Sequence, residues 1–199
     1  MKLLIVEDQS MLREAMIQLL KISGRFSDVR GAGNGEEAVR LLDDSYDVVI
    51  TDIEMPTMNG IELLAYIRKK QFDCKVIIVT TFKRAGYFEK SLNLDVDAYV
   101  LKERSVDELI ETVDKVTKGQ KEFSPELMPL MLTKNPLNDK EQEILVLIGK
   151  GLTSKEISQQ LYLSDGTVRN YTSLIIEKLG AENRINAWRI AREMGFINY

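Results

Sequence analysis

Short apolar runs alternate with helix-period segments through the first 118 residues of this 199-residue chain. Lys2–Val6, Asp47–Thr51, Val76–Thr80 and Asp97–Leu101 are brief and rich in Val, Ile and Leu. Runs of that kind suit parallel strands buried on both faces. Ser27–Ala32 is a weaker fifth run. Between the runs, Met11, Leu12, Ala15, Met16, Leu19 and Leu20 share one helical face, as do Val106, Leu109, Ile110, Val113 and Val116. Five such units predict an α/β domain over residues 1–118, built on a doubly wound, five-stranded parallel sheet. Right-handed crossovers place helices on both of its faces. Chemistry is then expected outside the carboxyl ends of the strands.

The rhythm breaks after Gly119. Pro125, Pro129 and Pro136 punctuate residues 119–136, which read as a linker. Leu127, Met128, Leu130, Met131 and Leu132 make it more apolar than a free tether, so a short turn of helix is expected there. Residues 137–199 are helical throughout. Asn138 with Glu141 and Thr153 with Glu156 match capping boxes, and Ser164 and Asn183 suit further caps. The expected helices are 139–149, 153–161, 164–178 and 183–194, a second, smaller all-α four-helix domain.

Composition narrows the chemistry. There is no histidine, which removes Ser-His and Cys-His catalysis and most zinc sites. The single Cys74 sits at a strand entrance and reads as a buried thiol. No apolar run approaches the roughly 18 residues of a membrane span. Met1–Val6 meets Glu7 and Asp8 too soon for a secretory leader, so a cytoplasmic protein is expected. The net charge of −4 lies in residues 1–134, because residues 135–199 carry eight basic and eight acidic side chains. A neutral second half lacks the bulk basic charge of many DNA binders. Any DNA argument there must rest on motif and on charge placement.

The ends of the expected strands carry a particular set of side chains. The first runs into Glu7 and Asp8, the third into Asp52, the fourth ends at Thr80 and the fifth leads to Lys102. A parallel sheet brings those ends to one edge. Three carboxylates there repel one another and attract a hard divalent cation such as Mg²⁺. Asp52 is then a nucleophile for phosphorus, forming an acyl phosphate. Mg²⁺ and the Lys102 ammonium supply charge neutralisation, and the Thr80 hydroxyl can donate to a phosphoryl oxygen. Singly, Asp8 also reads as a helix cap, Thr80 as a strand end, Lys102 as a loop lysine and Asp52 as a turn residue. The joint pattern is what points to phosphoryl chemistry. Gly31-Ala32-Gly33-Asn34-Gly35-Glu36 begins like a dinucleotide-binding loop, but it lacks glycine at 36 and does not follow the first strand.

Glu7-Asp8, Asp52 within Ile50–Pro56, Asn59-Gly60, Thr80 and Lys102 together resemble the receiver domain of two-component response regulators, a flavodoxin-like fold. The resemblance implies Asp52 as phosphoacceptor and a sensor histidine kinase as partner. It implies Asp8 as a direct Mg²⁺ ligand, Glu7 acting through water and the Glu54 backbone carbonyl completing the site. Thr80 would be the switch hydroxyl, Tyr99 the switch aromatic and Lys102 the phosphoryl contact. Where many receivers have a cis proline after that lysine, this chain has Glu103. No cis bond is expected.

In the second half, Thr153–Leu161, a turn at Tyr162-Leu163 and Ser164–Lys178 have helix-turn-helix proportions. Arg169 and Asn170 are side-chain types that read guanine and adenine edges. Thr167, Tyr171 and Ser173 are candidates for bases or phosphates. Thr153 and Lys155, at a helix start, suit phosphate, and Lys178 is a further phosphate candidate. Leu137–Glu141, Gly151–Ile157, Ser164–Tyr171 and Lys178–Gly180 are similar to the DNA-binding domain of the NarL/FixJ (LuxR-type) family. That similarity implies a third helix in the major groove and a fourth, with Trp188, at a dimer interface. Trp188 reads equally well as a core aromatic. Thr80-Thr81-Phe82 and Gly86-Tyr87-Phe88 are similar to a DesR-like subgroup of that family.

The expected function is a phosphorylation-controlled transcription factor rather than an enzyme. Phosphorylation adds about two negative charges at neutral pH. Thr80 and Lys102 would be drawn toward them, Tyr99 would turn inward, and a homodimer would bind duplex DNA with two half-sites. A metal-dependent phosphatase and a protein-binding helical module are the alternatives.

Overall fold

The structure, a computed structural model, describes residues 1–197. The chain forms two compact units. One comprises Met1–Lys83 and Lys90–Met128; the other comprises Arg84–Glu89 and the chain from Pro129 onward.

The first unit carries β1 (Lys2–Val6), α1 (Ser10–Ile22), β2 (Asp28–Ala32), α2 (Gly35–Leu41), β3 (Val48–Thr51), α3 (Gly60–Lys70) and β4 (Lys75–Thr80). Then come α4 (Ala85–Asn93), whose first residues belong to the second unit, β5 (Ala98–Leu101) and α5 (Val106–Thr117). The sheet is parallel at every pairing, in the order β2-β1-β3-β4-β5 with one further strand beyond β5. Leu3, Ile5, Ile50, Ile77 and Val100 meet Leu20, Leu109 and Val113 in one core on a single face of the sheet. The chain winds outward in opposite directions from β1. That reversal opens a crevice at the carboxyl ends of β1 and β3.

A sixth strand departs from the five-stranded expectation. β6 (Glu122–Phe123) lies inside the segment read as linker and pairs Glu122 with Ala98 and Phe123 with Tyr99. Two residues carry no period, so no pattern could have announced it. Hydrogen bonds and ion pairs fix it instead. The Ser124 N–H donates to the Tyr99 carbonyl at 3.1 Å, and Ser124 Oγ accepts from the Leu101 N–H at 3.1 Å. The Glu122 carboxylate takes Arg104 at 2.6 Å and Lys115 at 3.0 Å. A 3₁₀ helix, Pro125–Leu132, follows where a short helical turn was expected, with Leu127 fully buried.

The second unit carries α6 (Asp139–Gly149), α7 (Ser154–Leu161), α8 (Asp165–Lys178) and α9 (Arg184–Glu193). Both expected capping boxes form, Asn138 with Glu141 and Thr153 with Glu156. Asn59 with Glu62 and Ser105 with Glu108 add two more in the first unit. Tyr162, in the left-handed region at φ 55°, ends α7 and starts the turn into α8. Ile144, Ile148, Ile157, Val168, Ile175 and Ala187 form the core of the four helices. Among the described residues no peptide bond is cis, and no helix is long and apolar enough to cross a membrane.

Candidate functional site

Strand register assembles the acidic pocket. Val6 pairs with Thr51, so Glu7 and Asp52 leave adjacent strands at the same height, and the Asp52 N–H donates to the Val6 carbonyl at 2.9 Å. Thr80 pairs with Leu101, and the Lys102 N–H donates to the Thr80 carbonyl at 2.9 Å. Carboxylate oxygens of Glu7, Asp8 and Asp52 lie within 4.8 Å of one another. Lys102 Nζ stands between two of them, 2.6 Å from Glu7 Oε2 and 3.0 Å from Asp52 Oδ2. Asp52 Oδ1 accepts from the Ile53 N–H at 2.7 Å. Three oxygen donors this close suit a hard divalent cation.

Not every expected member touches the carboxylates. Asp8 is exposed and does not cap α1; Gln9 holds that position, without a side-chain bond. The bland reading of Asp8 as a cap therefore falls. Thr80 is fully buried, and its hydroxyl accepts from the Phe82 N–H at 3.1 Å. Tyr99 is fully buried on β5. Glu54 is exposed on the loop after Asp52. Two supports escaped the motif reading. Arg13 Nη1 donates to the Glu7 carbonyl at 2.5 Å. Gly60 passes so near the end of β3 that a Cβ there would lie 1.9 Å from the Asp52 carbonyl oxygen.

Charge in the pocket is unbalanced, with three carboxylates to one ammonium. Burial pushes the Glu7 and Asp52 carboxyls up, and the bonds from Lys102 only partly reverse this. Burial pulls Lys102 down, but its bonds to Glu7 and Asp52 outweigh that and hold its ammonium up. A carboxyl raised by folding stabilises the fold at low pH and loses that contribution as pH rises through its folded value. Near neutral pH, without metal, ionised Glu7 and Asp52 therefore oppose folding. Glu7→Gln should raise the thermal midpoint of the first unit at pH 7 in chelator by a few degrees, on the scale of about 1 kcal/mol. The gain should shrink toward pH 4. Scanning calorimetry at both pH values checks this, and a lowered midpoint at pH 7 counts against it.

In the second unit α8 presents Arg169 and Asn170 to solvent. Arg169 Nη2 holds Asp165 Oδ2 at 2.5 Å while its side chain stays 71% exposed. Lys155 and Asn170 are exposed, and among the described residues their side chains hold no hydrogen bond or ion pair. Ser173 is exposed and donates to the Arg169 carbonyl at 3.2 Å. The Thr167 hydroxyl lies 2.8 Å from Ser164 Oγ, in the cap of α8.

Several other candidates are already engaged. Thr153 Oγ1 donates to Glu156 Oε2 at 2.7 Å and accepts from its N–H, so its hydroxyl serves the capping box. Tyr171 is half-buried against the helical core, not free on the surface. Lys178 Nζ lies 2.7 Å from both oxygens of Glu141, which is 2% exposed. That lysine neutralises an interior acid. Trp188 packs on Gly149, where a Cβ would lie 2.0 Å from the indole nitrogen. The large apolar side chain that α9 leaves in solvent is Ile185.

Comparison with known proteins agrees with this arrangement. Residues 3–114 match the family described as the response regulator receiver domain, and residues 135–191 match the bacterial regulatory proteins of the luxR family. The uncharacterized transcriptional regulatory protein YvfU of Bacillus subtilis is 46% identical over 198 residues, covering 98% of this chain and 99% of that protein. The transcriptional regulatory protein DesR of the same organism is 40% identical, covering 97% of each. A solved LuxR-family DNA-binding response regulator from Staphylococcus aureus is 58% identical over 58% of this chain and 98% of its own, with a TM-score of 0.56. The RcsB response regulator of Salmonella typhimurium is 25% identical over 96% of this chain and 99% of its own, with a TM-score of 0.68. The chain belongs to the response regulators of two-component systems that carry a LuxR-type helix-turn-helix, among relatives of the DesR and YvfU type.

Proposed function

We propose that a sensor histidine kinase phosphorylates Asp52 in the presence of Mg²⁺, and that this promotes dimerisation and sequence-specific DNA binding in the cytoplasm. The carrying observation is the Lys102 ammonium lodged between Glu7 and Asp52 at the crevice where the sheet order reverses. A pocket whose three carboxylates outnumber its one ammonium draws a divalent cation, and that cation together with Lys102 can neutralise an added phosphoryl group. Asp8, Asp52, Glu7 and the Glu54 backbone would hold Mg²⁺, which supplies further neutralisation of a transferring phosphoryl group. Lys102 remains to contact a phosphoryl oxygen, and the Thr80 hydroxyl, now bonded to the Phe82 amide, is the group to be recruited. The protein's action is read as binding rather than turnover, as in the transcriptional regulators it resembles.

Association is supported by side chains left in solvent. Met11 and Ile22 on α1 are 85% and 79% exposed. RcsB has been solved as dimers bound to DNA. A two-fold dimer favours an operator of two similar half-sites. Incubation with phosphoramidate and Mg²⁺, followed by peptide mass spectrometry, tests the reading. Modification at Asp52 is expected, and an unmodified Asp52 overturns it.

Arg169 and Lys155 separate base reading from phosphate contact. Arg169→Ala should lose about 1–3 kcal/mol on the preferred duplex and little on random DNA. Lys155→Ala should weaken binding to all duplexes alike and lower the salt slope by about one. Equal loss on every sequence for Arg169→Ala removes it from the base-reading set.

A further inference from the structure

Glycine at position 166 has no explanation inside the protein. Among the twelve glycines of the chain, five adopt positive φ, and six of the other seven have a heavy atom within 3.2 Å of the place a Cβ would occupy. Gly166 alone has neither. It lies in the first turn of α8, without positive φ, and a Cβ there would meet only Ser164 Oγ at 3.8 Å. Alanine would fit and would favour the helix, since glycine within a helix is disfavoured relative to alanine. A glycine that neither the backbone nor the packing requires points to something outside the chain.

Its place says what that is. Gly166 is exposed, three and four residues before Arg169 and Asn170 and seven before Ser173, so all four share the solvent face of α8. The Arg169–Asp165 pair flanks it, joining residues on either side. In a helix-turn-helix the first turns of the recognition helix enter the major groove. Absence of a side chain is also how proteins let backbone come close to a ligand.

We propose that Gly166 is the point of closest approach between α8 and duplex DNA, a specificity-determining position. Its bare Cα sets how deeply Arg169 and Asn170 reach toward the base edges. The inference rests on the reading that α8 binds DNA. A side chain at 166 holds the helix off the duplex, so the loss grows with side-chain size and falls on the preferred sequence.

The test uses the full chain, loaded with beryllofluoride, and a duplex enriched from a random library by the wild type. Gly166→Ala should bind that duplex about tenfold more weakly, and Gly166→Leu weaker still. Neither should change the salt slope, because no phosphate charge is lost. The thermal midpoint of Gly166→Ala should be unchanged or higher, which excludes unfolding as the cause. Binding by both variants within about twofold of wild type overturns this inference alone. A wild type that enriches no sequence overturns it together with the DNA reading.

Discussion

Asp52→Ala should abolish phosphoryl incorporation and leave DNA affinity indifferent to phosphodonor. In the wild type the same treatment should raise affinity roughly 5- to 150-fold, the span of an ordinary coupling energy of about 1–3 kcal/mol. The expectation follows from the pocket. Asp52 is 6% exposed, with one oxygen on Lys102 and the other on the Ile53 amide, so its carboxylate is fixed in the crevice. Asp8 is exposed on the loop before α1, and Glu7 is tied to Lys102 and the Gln9 amide. Folding should survive the substitution. Removing one buried carboxylate leaves Lys102 and Glu7 as a matched pair, which relieves the excess negative charge. The thermal midpoint in chelator should therefore not fall. Intact mass after phosphodonor treatment and titration of a fluorescent duplex read the two outcomes. A variant that still gains a phosphoryl group, with the same rise in affinity, places the switch at another residue.

The acidic pocket was legible because a parallel sheet converts sequence position into place. Once β1, β3, β4 and β5 were recognised as buried strands, their ends had to meet at one edge, and Glu7, Asp52, Thr80 and Lys102 went with them. Helix starts were legible for a similar reason. A capping box is a local bond between residues three apart, so Asn138 with Glu141 and Thr153 with Glu156 needed no tertiary knowledge. What escaped depended on partners distant in sequence. β6 exists because Glu122 meets Arg104 and Lys115, and because Ser124 serves the backbone of β5. Gly60 follows Asn59 in the motif, yet its nearness to Asp52 is set by the folded loop and not by sequence spacing. On α8 the helical period marked a solvent face but could not tell a free cation from a spent one.

Lys178 is the sharpest instance, and Lys178→Met should destabilise the four-helix domain instead of merely weakening DNA binding. Both Glu141 oxygens receive the Lys178 ammonium, and Glu141 Oε2 also accepts the Asn138 N–H that closes the cap of α6. Glu141 is 2% exposed; the Lys178 side chain is 37% exposed. Breaking a fully buried pair costs about 3–5 kcal/mol, because the remaining charge stays in the interior. Water reaches the lysine side of this pair, so about 2–3 kcal/mol is the better expectation. In a domain of this size that lowers the thermal midpoint by about 10–20 °C. Glu141→Gln in the same chain should restore much of the loss, since no unpaired carboxylate is then left inside. At a temperature where the variant is folded, the salt slope of DNA binding should match the wild type, because this ammonium releases no counterion from phosphate. An unchanged midpoint with a slope reduced by about one returns Lys178 to the DNA surface. The reverse outcome makes it the residue that anchors the C-terminal end of α8 to the first turn of α6.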